Sequence, residues 1–209
     1  MKKILFQGDS ITDAHRSRDD RKSLGFGYPT QVAGLLGKEY PGRLEFVNLG
    51  ISGNRVVDLY ARIGADFIEE KPDFVTILIG INDVWHEFGA KRNGIENPKF
   101  RRVYSMLVEE LRHKLPGVEI LILEPFVLEG AATEQKWDIF RDETAMRAAS
   151  SKAVAEEYGC TFVPLQKIFD EACKKAPAAY WLPDGVHPSA MGHGLIAAAV
   201  ADALRQKLG

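Results

Sequence analysis

The sequence predicts a three-layer α/β/α fold around a five-stranded parallel sheet with the flavodoxin-like strand order 2-1-3-4-5. Short apolar segments, rich in β-branched and aromatic residues, alternate with longer segments of helical periodicity along the chain. Most of the apolar segments lack a strict polar alternation, which is typical of strands buried on both faces. Strands that are separated by helices join through right-handed crossovers, so a parallel sheet between two helical layers follows.

Five segments have the length and composition of strands, at residues 3–7, 44–48, 73–79, 118–123 and 160–164. A helix is expected after Pro98, because five apolar residues there fall on one helical face: Phe100, Tyr104, Leu107, Leu111 and Leu115. Asn97 is a suitable N-cap for this helix, and Pro98 suits its first helical position. A last helix is expected over residues 189–208, after Pro188.

Length and composition indicate one globular domain over residues 1–209. With 45% hydrophobic and 27% charged residues, the chain is neither disordered nor collagen-like. Its 27 Lys and Arg against 29 Asp and Glu give a net charge of −2, which provides no general attraction to nucleic acid or anionic lipid. The expected partner is therefore a small molecule, with no nucleic acid and no membrane.

The apolar stretch after the N-terminus is only three residues long, so no signal peptide is expected and the predicted location is cytoplasmic. The longest uncharged apolar segments, residues 74–81 and 194–201, are less than half as long as a bilayer-spanning helix. Cys160 and Cys173 are too few and too far apart for a disulfide framework or a metal motif, and they are interpreted as free core thiols.

No metal and no cofactor are expected. The five histidines are scattered, without an H-x-x-x-H or H-E-x-x-H spacing. The Gly25-Phe26-Gly27 segment lacks the third glycine of a dinucleotide-binding turn, and Gly37-Lys38 lacks the Ser or Thr of a phosphate-binding loop.

Gly-containing polar segments follow the first three predicted strands: Gly8-Asp9-Ser10, Gly50-Ile51-Ser52-Gly53-Asn54 and Gly80-Ile81-Asn82-Asp83. The carboxyl ends of parallel strands share one edge of the sheet, which is where ligands bind in this class of fold. A fourth polar segment, Asp184-Gly185-Val186-His187, precedes the last helix. We therefore expect a site built from these four segments.

The residue types indicate nucleophilic catalysis. A serine is a weak nucleophile unless a base accepts its proton, and the base needs a third group to fix its tautomer. Ser10, His187 and Asp184 could fill these three roles, since Asp184 and His187 are three residues apart. Three strand spacings separate Ser10 from the fifth strand, about 14 Å. The residues between Lys175 and His187 could span roughly 35 Å, so the chain can return.

Nucleophilic attack on a carbonyl group also needs donors aimed at the charge that develops on the carbonyl oxygen. Three candidates are the backbone N–H of Ser10, the backbone N–H of Gly53, where no side chain blocks close approach, and the side-chain amide of Asn82.

The blocks around Ser10, Gly53, Asn82 and His187 resemble those of the SGNH hydrolases, also called the GDSL esterase/lipase family. The first block reads GDSI instead of GDSL, and Ile11 keeps that position apolar. The resemblance spans Gly8 to His193. It implies an ester hydrolase with Ser10 as nucleophile, His187 as base, Asp184 as its orienting acid, and Gly53 and Asn82 in the oxyanion hole.

The strings GDSITD, GISGN, GINDVW and VHPSAMGH are most similar to a branch of intracellular acetyl esterases that act on acetylated xylo-oligosaccharides. The resemblance thus implies a serine esterase that hydrolyses short acetyl esters of carbohydrates through an acyl-enzyme. A lysophospholipase or thioesterase of the same family is the alternative, and a small-ligand binding module is the alternative outside enzymes. Members of the branch are often oligomeric, which leaves a homo-oligomer open.

Several residues have two interpretations. Ser10 could cap a helix, and Asp9, Asp13 and Asp83 are carboxylates near the site that are better explained as loop caps than as the triad acid. The charged residues 15–22 could form a solvated loop or one lip of the pocket. Three side chains are predicted to bind substrate, although aromatic rings also fill cores: Trp85, His86 and Trp181. His193 is expected to have a structural role near the site.

Overall fold

The computed structural model describes residues 1–89 and 92–208 and has five parallel strands. They are β1 (Lys2–Gly8), β2 (Leu44–Asn48), β3 (Phe74–Leu78), β4 (Glu119–Leu123) and β5 (Thr161–Val163). The strand order is β2-β1-β3-β4-β5, with Phe6 of β1 aligned between Asn48 of β2 and Thr76 of β3. The predicted parallel sheet and its strand order are confirmed.

Helices cover both faces of the sheet, as predicted. Within the described residues they are α1 (Ser10–Asp13), α2 (Tyr28–Glu39), α3 (Val56–Ala61), α4 (Ile81–Phe88), α5 (Asn97–Lys114), α6 (Trp137–Glu157), α7 (Gln166–Cys173), α8 (Ala178–Trp181) and α9 (Ala190–Leu208). One turn of π-helix (Gly64–Ile68) follows α3, and a 3-10 turn (Glu134–Lys136) precedes α6. Helices α2 and α9 pack together on one face, and α5 packs between α3 and α6 on the other.

Two hydrophobic cores lie on opposite sides of the sheet. Ile4 and Phe6 of β1 belong to the core beneath α2 and α9, whereas Leu5 between them belongs to the core beneath α3 and α5. This alternation follows from the two-residue period of side chains along a strand. Because both sets are apolar, the central strands β1 and β3 are covered on both faces along most of their length, which leaves the strand ends for chemistry.

Helix α5 has the predicted buried face, formed by Phe100, Tyr104, Leu107 and Leu111. The predicted N-cap is wrong by one residue, because the helix begins at Asn97 and Glu96 occupies the cap position. The Asn97 carboxamide is engaged elsewhere, where its Oδ1 accepts a hydrogen bond from the Ser150 hydroxyl of α6 at 2.9 Å.

The cysteines Cys160 and Cys173 are both free thiols, as predicted. They are only partly buried and pack against the margins of the two cores instead of lying inside them. Among the helices of the described chain, none combines the length and the apolar character that a bilayer crossing requires.

Helix α6 carries a buried cation that the sequence analysis did not identify. The Arg147 side chain is fully buried, and it forms ion pairs with Glu87 of α4 and Glu143 of its own helix. Its Nη2 also donates to the Ile95 carbonyl at 2.7 Å. This cluster joins α4 to α6, and α4 begins with the residues that follow β3 at the site edge.

Candidate active site

Ser10 lies at the start of α1, directly after β1. Gly8 has φ +156°, and a Cβ at this position would lie 2.3 Å from the Leu78 carbonyl oxygen. Only glycine therefore allows the backbone to pass this close to β3 at the end of β1. The Asp9 carboxylate accepts the Ile11 N–H at 3.0 Å and caps α1. This tight turn presents the Ser10 hydroxyl at the carboxyl edge of the sheet.

His187 and Asp184 lie in the loop between α8 and α9. Gly185 between them has φ +92°, a conformation that favours glycine. The connection between β4 and α6 holds this loop through two backbone hydrogen bonds. The Leu128 N–H donates to the Gly185 carbonyl and the Ala132 N–H donates to the Asp184 carbonyl, both at 2.9 Å. Nothing in the sequence pattern pointed to this support.

The three predicted triad residues meet. His187 Nε2 is 2.9 Å from Ser10 Oγ, and His187 Nδ1 is 2.7 Å from Asp184 Oδ2. The second oxygen of Asp184 accepts the N–H groups of Val186 and His187 at 2.9 and 2.7 Å. Burial disfavours the ionised acid, but these hydrogen bonds outweigh it and lower the pKa of Asp184. The carboxylate is therefore ionised at neutral pH and suited to hold the Nδ1–H tautomer of His187.

The three rival carboxylates have other partners, consistent with the interpretation as caps. Asp83 accepts the Val56 N–H with both oxygens at 3.2 Å, at the start of α3. Asp13 accepts the Ser52 N–H at 2.9 Å and pairs with Arg18. Burial raises the pKa of Asp83 well above its ordinary value and the pKa of Asp9 to about 7. None of the three hydrogen-bonds to His187 within the described residues.

Three N–H groups are the candidate oxyanion donors, those of the Ser10 and Gly53 backbone and of the Asn82 side chain. The backbone N–H groups of Ser10 and Gly53 have no acceptor within residues 1–89 and 92–208. Gly53 has φ +83°, so a side chain there would be strained. Asn82 is buried at the start of α4, and its Nδ2 donates one hydrogen to the Asn54 carbonyl at 3.2 Å. The other amide hydrogen of Asn82 is thereby held in a fixed direction, as an oxyanion donor would need to be.

The loops that carry these donors are tied to one another. The Asp83–Val56 contact joins the start of α4 to the segment after Gly53, and the Asp13–Ser52 contact joins the segment before Gly53 to α1. Asn48 at the end of β2 adds a third link, because its Nδ2 donates to the Thr12 carbonyl at 2.7 Å. These contacts fix the loops that carry the candidate donors relative to α1.

A cavity of about 580 Å³ opens beside Ser10 and His187. Its lining combines polar and apolar side chains, including Asp13, His15, Phe26, Ser52 and His193. His15 belongs to the charged segment 15–22, which therefore contributes to one lip of the cavity. Arg16 and Arg18 of the same segment both donate to the Gly50 carbonyl at 3.0 Å, which holds the lip against the strand-two loop.

His193 has the structural position expected for it. Its Nδ1 accepts the Tyr28 N–H at 3.1 Å and so caps α2, and its ring stacks on Tyr28 with centroids 6.5 Å apart. Burial, with a smaller contribution from His187, lowers the pKa of His193 to about 4. The ring is therefore neutral near physiological pH, with its proton on Nε2.

None of the three predicted substrate-binding residues is among those that line the Ser10 cavity, and each has different neighbours. Trp85 lies beside His187, with ring centroids 6.2 Å apart, but it lines a separate cavity of about 230 Å³ together with Phe140. His86 is not among the residues that line the Ser10 cavity. It interacts with Asp58 of α3, where burial raises the pKa but the hydrogen bonds and charge of Arg55, with a smaller contribution from His86, lower it overall.

Trp181 lies away from the Ser10 cavity, contrary to the expectation. Its Nε1 donates to the carbonyls of Ala172 and Ala176 at 3.1 and 3.3 Å, and its ring lines a different cavity with Ile168 and Leu195. Proximity to Asp184 in sequence was misleading, because the short helix α8 turns the indole towards α7.

A serine, a histidine and an aspartate in one line of hydrogen bonds are typical of a hydrolase. Comparison with known proteins identifies the family to which the chain belongs. Residues 6–195 match the model of the GDSL-like Lipase/Acylhydrolase family. The chain belongs to this family and is a carboxylic ester hydrolase, which confirms the resemblance found in the sequence.

The similar proteins include acetylxylan esterases and an alpha/beta hydrolase enzyme. An acetylxylan esterase from Geobacillus stearothermophilus is 40% identical over 205 residues, which cover 94% of this chain and 91% of the relative. The crystal structure of Axe2, an acetylxylan esterase from that organism, has a TM-score of 0.85 at 38% identity and covers 95% and 92% of the two chains. LAE5, an alpha/beta hydrolase enzyme from the metagenome of Lake Arreo, has a TM-score of 0.87 at 31% identity, with 97% and 94% covered.

Proposed function

We propose that this protein is a serine esterase that removes acetyl groups from carbohydrates, such as acetylated xylo-oligosaccharides, through an acyl-enzyme. The observation that carries the proposal is the continuous line of hydrogen bonds from Ser10 through His187 to Asp184. The acetylxylan esterases among the similar proteins support an acetyl ester as the substrate. Two structures of Axe2, with a serine and an aspartate replaced by alanine, are described as catalytic mutants, which supports a catalytic serine and aspartate here.

In the first half of the reaction, Ser10 Oγ attacks the ester carbonyl carbon while His187 Nε2 accepts the hydroxyl proton. The carbonyl oxygen becomes an oxyanion, which the N–H groups of Ser10, Gly53 and Asn82 stabilise. The tetrahedral intermediate then collapses, the bond to the alcohol oxygen breaks, and His187 donates its proton to that oxygen. The products of this half are the free alcohol and acetyl-Ser10.

In the second half, His187 takes a proton from a water molecule that attacks the acetyl carbonyl carbon. The oxyanion forms in the same place, and its collapse breaks the bond to Ser10 Oγ, which recovers a proton from His187. Asp184 keeps its charge throughout, because its role is to orient the imidazole and to stabilise the imidazolium. Acetate leaves and the free enzyme returns.

A direct test is a product screen on acetylated xylo-oligosaccharides, acyl-CoA and lysophospholipid, with Ser10→Ala as the inactive control. We expect acetate release from the oligosaccharides and none above background with Ser10→Ala. A second series compares p-nitrophenyl acetate, butanoate and octanoate, and we expect the rate to fall with acyl length. Faster hydrolysis of octanoate, or preference for lysophospholipid or acyl-CoA, would replace this proposal with the longer-chain alternative.

A further inference from the structure

The rim of the Ser10 cavity carries an exposed aromatic ring that no core requires. Phe26 is 82% exposed, whereas nearly all other large apolar side chains of the described chain are buried or half-buried. It lines the same cavity as Ser10 and His187. The exposed ring gains little packing from the folded chain, and because it borders the cavity that holds Ser10, it is available to contact a bound substrate.

The backbone holds Phe26 firmly in this position. The Phe26 N–H donates to the carbonyl of Ala14 at 2.8 Å, and Ala14 is the residue that ends the helix carrying Ser10. Gly25, with φ +77°, packs so closely on Ala14 that a Cβ would meet its carbonyl at 2.5 Å. The ring is therefore presented by a segment fixed to the nucleophile.

The residue after Phe26 is fixed as well. A Cβ on Gly27 would lie 2.6 Å from the Ala14 side chain and 2.8 Å from His193 Cε1. The turn thus fits between α1 and α9 only because glycine flanks Phe26 on both sides. Such a close fit limits the positions that the aromatic ring can take relative to Ser10.

The size and polarity of the cavity indicate which part of the ester lies against Phe26. An acetyl group has three heavy atoms, and a cavity of about 580 Å³ is of the size that holds drug-sized ligands, so most of its space is left for the alcohol part. Asp13, His15, Ser52 and His193 give the lining polar groups, which suit the hydroxyl groups of a sugar better than an aliphatic chain.

We infer that Phe26 is a substrate-binding residue on which a carbohydrate ring of the alcohol part stacks with its apolar C–H face. The inference rests on the proposed function and deepens it, because it assigns the determinant that favours sugar esters over simple alkyl esters. The sugar hydroxyl groups point away from the ring face towards the polar lining. Phe26 takes no part in proton transfer or in stabilisation of the oxyanion.

The test measures a specificity ratio: kcat/KM for acetylated xylobiose divided by kcat/KM for ethyl acetate, whose alcohol has no ring. We expect Phe26→Ala to lower this ratio about fivefold to tenfold, as the loss of one aromatic contact would. Phe26→Trp and Phe26→Tyr should keep the ratio within twofold, and Phe26→Leu should behave like Phe26→Ala. Met106→Ala, on the exposed side of α5, is the matched control for removal of a surface apolar side chain.

Each result decides the inference. A ratio unchanged in Phe26→Ala, with wild-type enzyme active on acetylated xylobiose, overturns it and leaves the proposed function intact. Wild-type enzyme that hydrolyses ethyl acetate but not acetylated xylobiose overturns both. Size-exclusion chromatography adds a third arm: an assembly that dissociates in Phe26→Ala, with an unchanged ratio, would show that the ring is a subunit contact instead.

Discussion

Ser10 Oγ and His187 Nε2 lie 2.9 Å apart, although 177 positions separate the two residues along the chain. The contact joins the end of the first strand to the loop before the last helix. Five parallel strands bring both segments to the same edge of the sheet, so the fold itself places the base beside the hydroxyl.

Asp184→Asn should lower kcat about 10³-fold to 10⁴-fold with little loss of stability. An asparagine keeps the shape of the side chain but no longer stabilises the imidazolium, and its amide favours the wrong tautomer of His187. Steady-state kinetics with p-nitrophenyl acetate would measure the effect. Asp138→Asn is the control, since Asp138 is 82% exposed on α6. A loss of less than tenfold would show that Asp184 is not the orienting acid.

Asn82→Ala should lower kcat about 10²-fold to 10³-fold and change KM little, because its amide is expected to bind the oxyanion and not the ground-state ester. Asn97→Ala on α5 removes the same kind of side chain from a residue that does not line the Ser10 cavity, and it should leave kcat at the wild-type value. An increase in KM with unchanged kcat would contradict this role and would indicate that Asn82 binds the ground-state substrate.

The sheet and the positions of Ser10, His187 and Asp184 could be predicted because each depends on short-range signals. Apolar segments of strand length define the sheet, and Gly8-Asp9-Ser10 or Asp184-x-x-His187 can be interpreted within a few residues. Because the strands are parallel, the segments that follow them lie together at one edge of the sheet.

Side-chain direction was harder to predict. Trp85 and Trp181 are both adjacent to site residues in sequence, yet one ring lies beside His187 and the other packs on α7. Arg147 has no local signal either, because its burial depends on Glu87, which is 60 residues away. Such contacts depend on how helices pack together, and one sequence carries little information about that packing.

Asp9→Asn should stabilise the protein at pH 8 and have little effect near pH 4. Burial raises the pKa of Asp9 to about 7, against the opposing effects of the Ile11 N–H hydrogen bond and the charge of His187. The ordinary pKa of an unfolded aspartate is about 3.9. The folded state therefore retains the proton between these values, and this contribution to stability is present below pH 4 and lost as pH rises through 7.

Denaturant unfolding of wild type and Asp9→Asn at pH 4, 6 and 8 would measure this difference, which should grow to the order of a few kcal/mol at pH 8. Asparagine keeps an oxygen acceptor for the Ile11 N–H, so loss of the cap does not confuse the comparison. An equal effect of the substitution at all three pH values would contradict the raised pKa.

Arg147→Ala should destabilise the protein by about 3 to 5 kcal/mol, because it leaves Glu87 and Glu143 without their buried partner. Arg141→Ala on the same helix is the matched control, and it should cost less than about 1 kcal/mol because its ion pairs are exposed. Chemical denaturation followed by circular dichroism would compare the two. Similar losses for both variants would show that the buried cluster adds no special stability.

The most direct test of the central proposal is covalent labelling with a fluorophosphonate, followed by peptide mapping. The reagent reacts with a serine that an adjacent base has activated. We predict a single adduct on Ser10, with labelling abolished in Ser10→Ala and strongly slowed in His187→Ala. An adduct on another serine, or labelling that persists in Ser10→Ala, would contradict the assignment of Ser10 as the nucleophile.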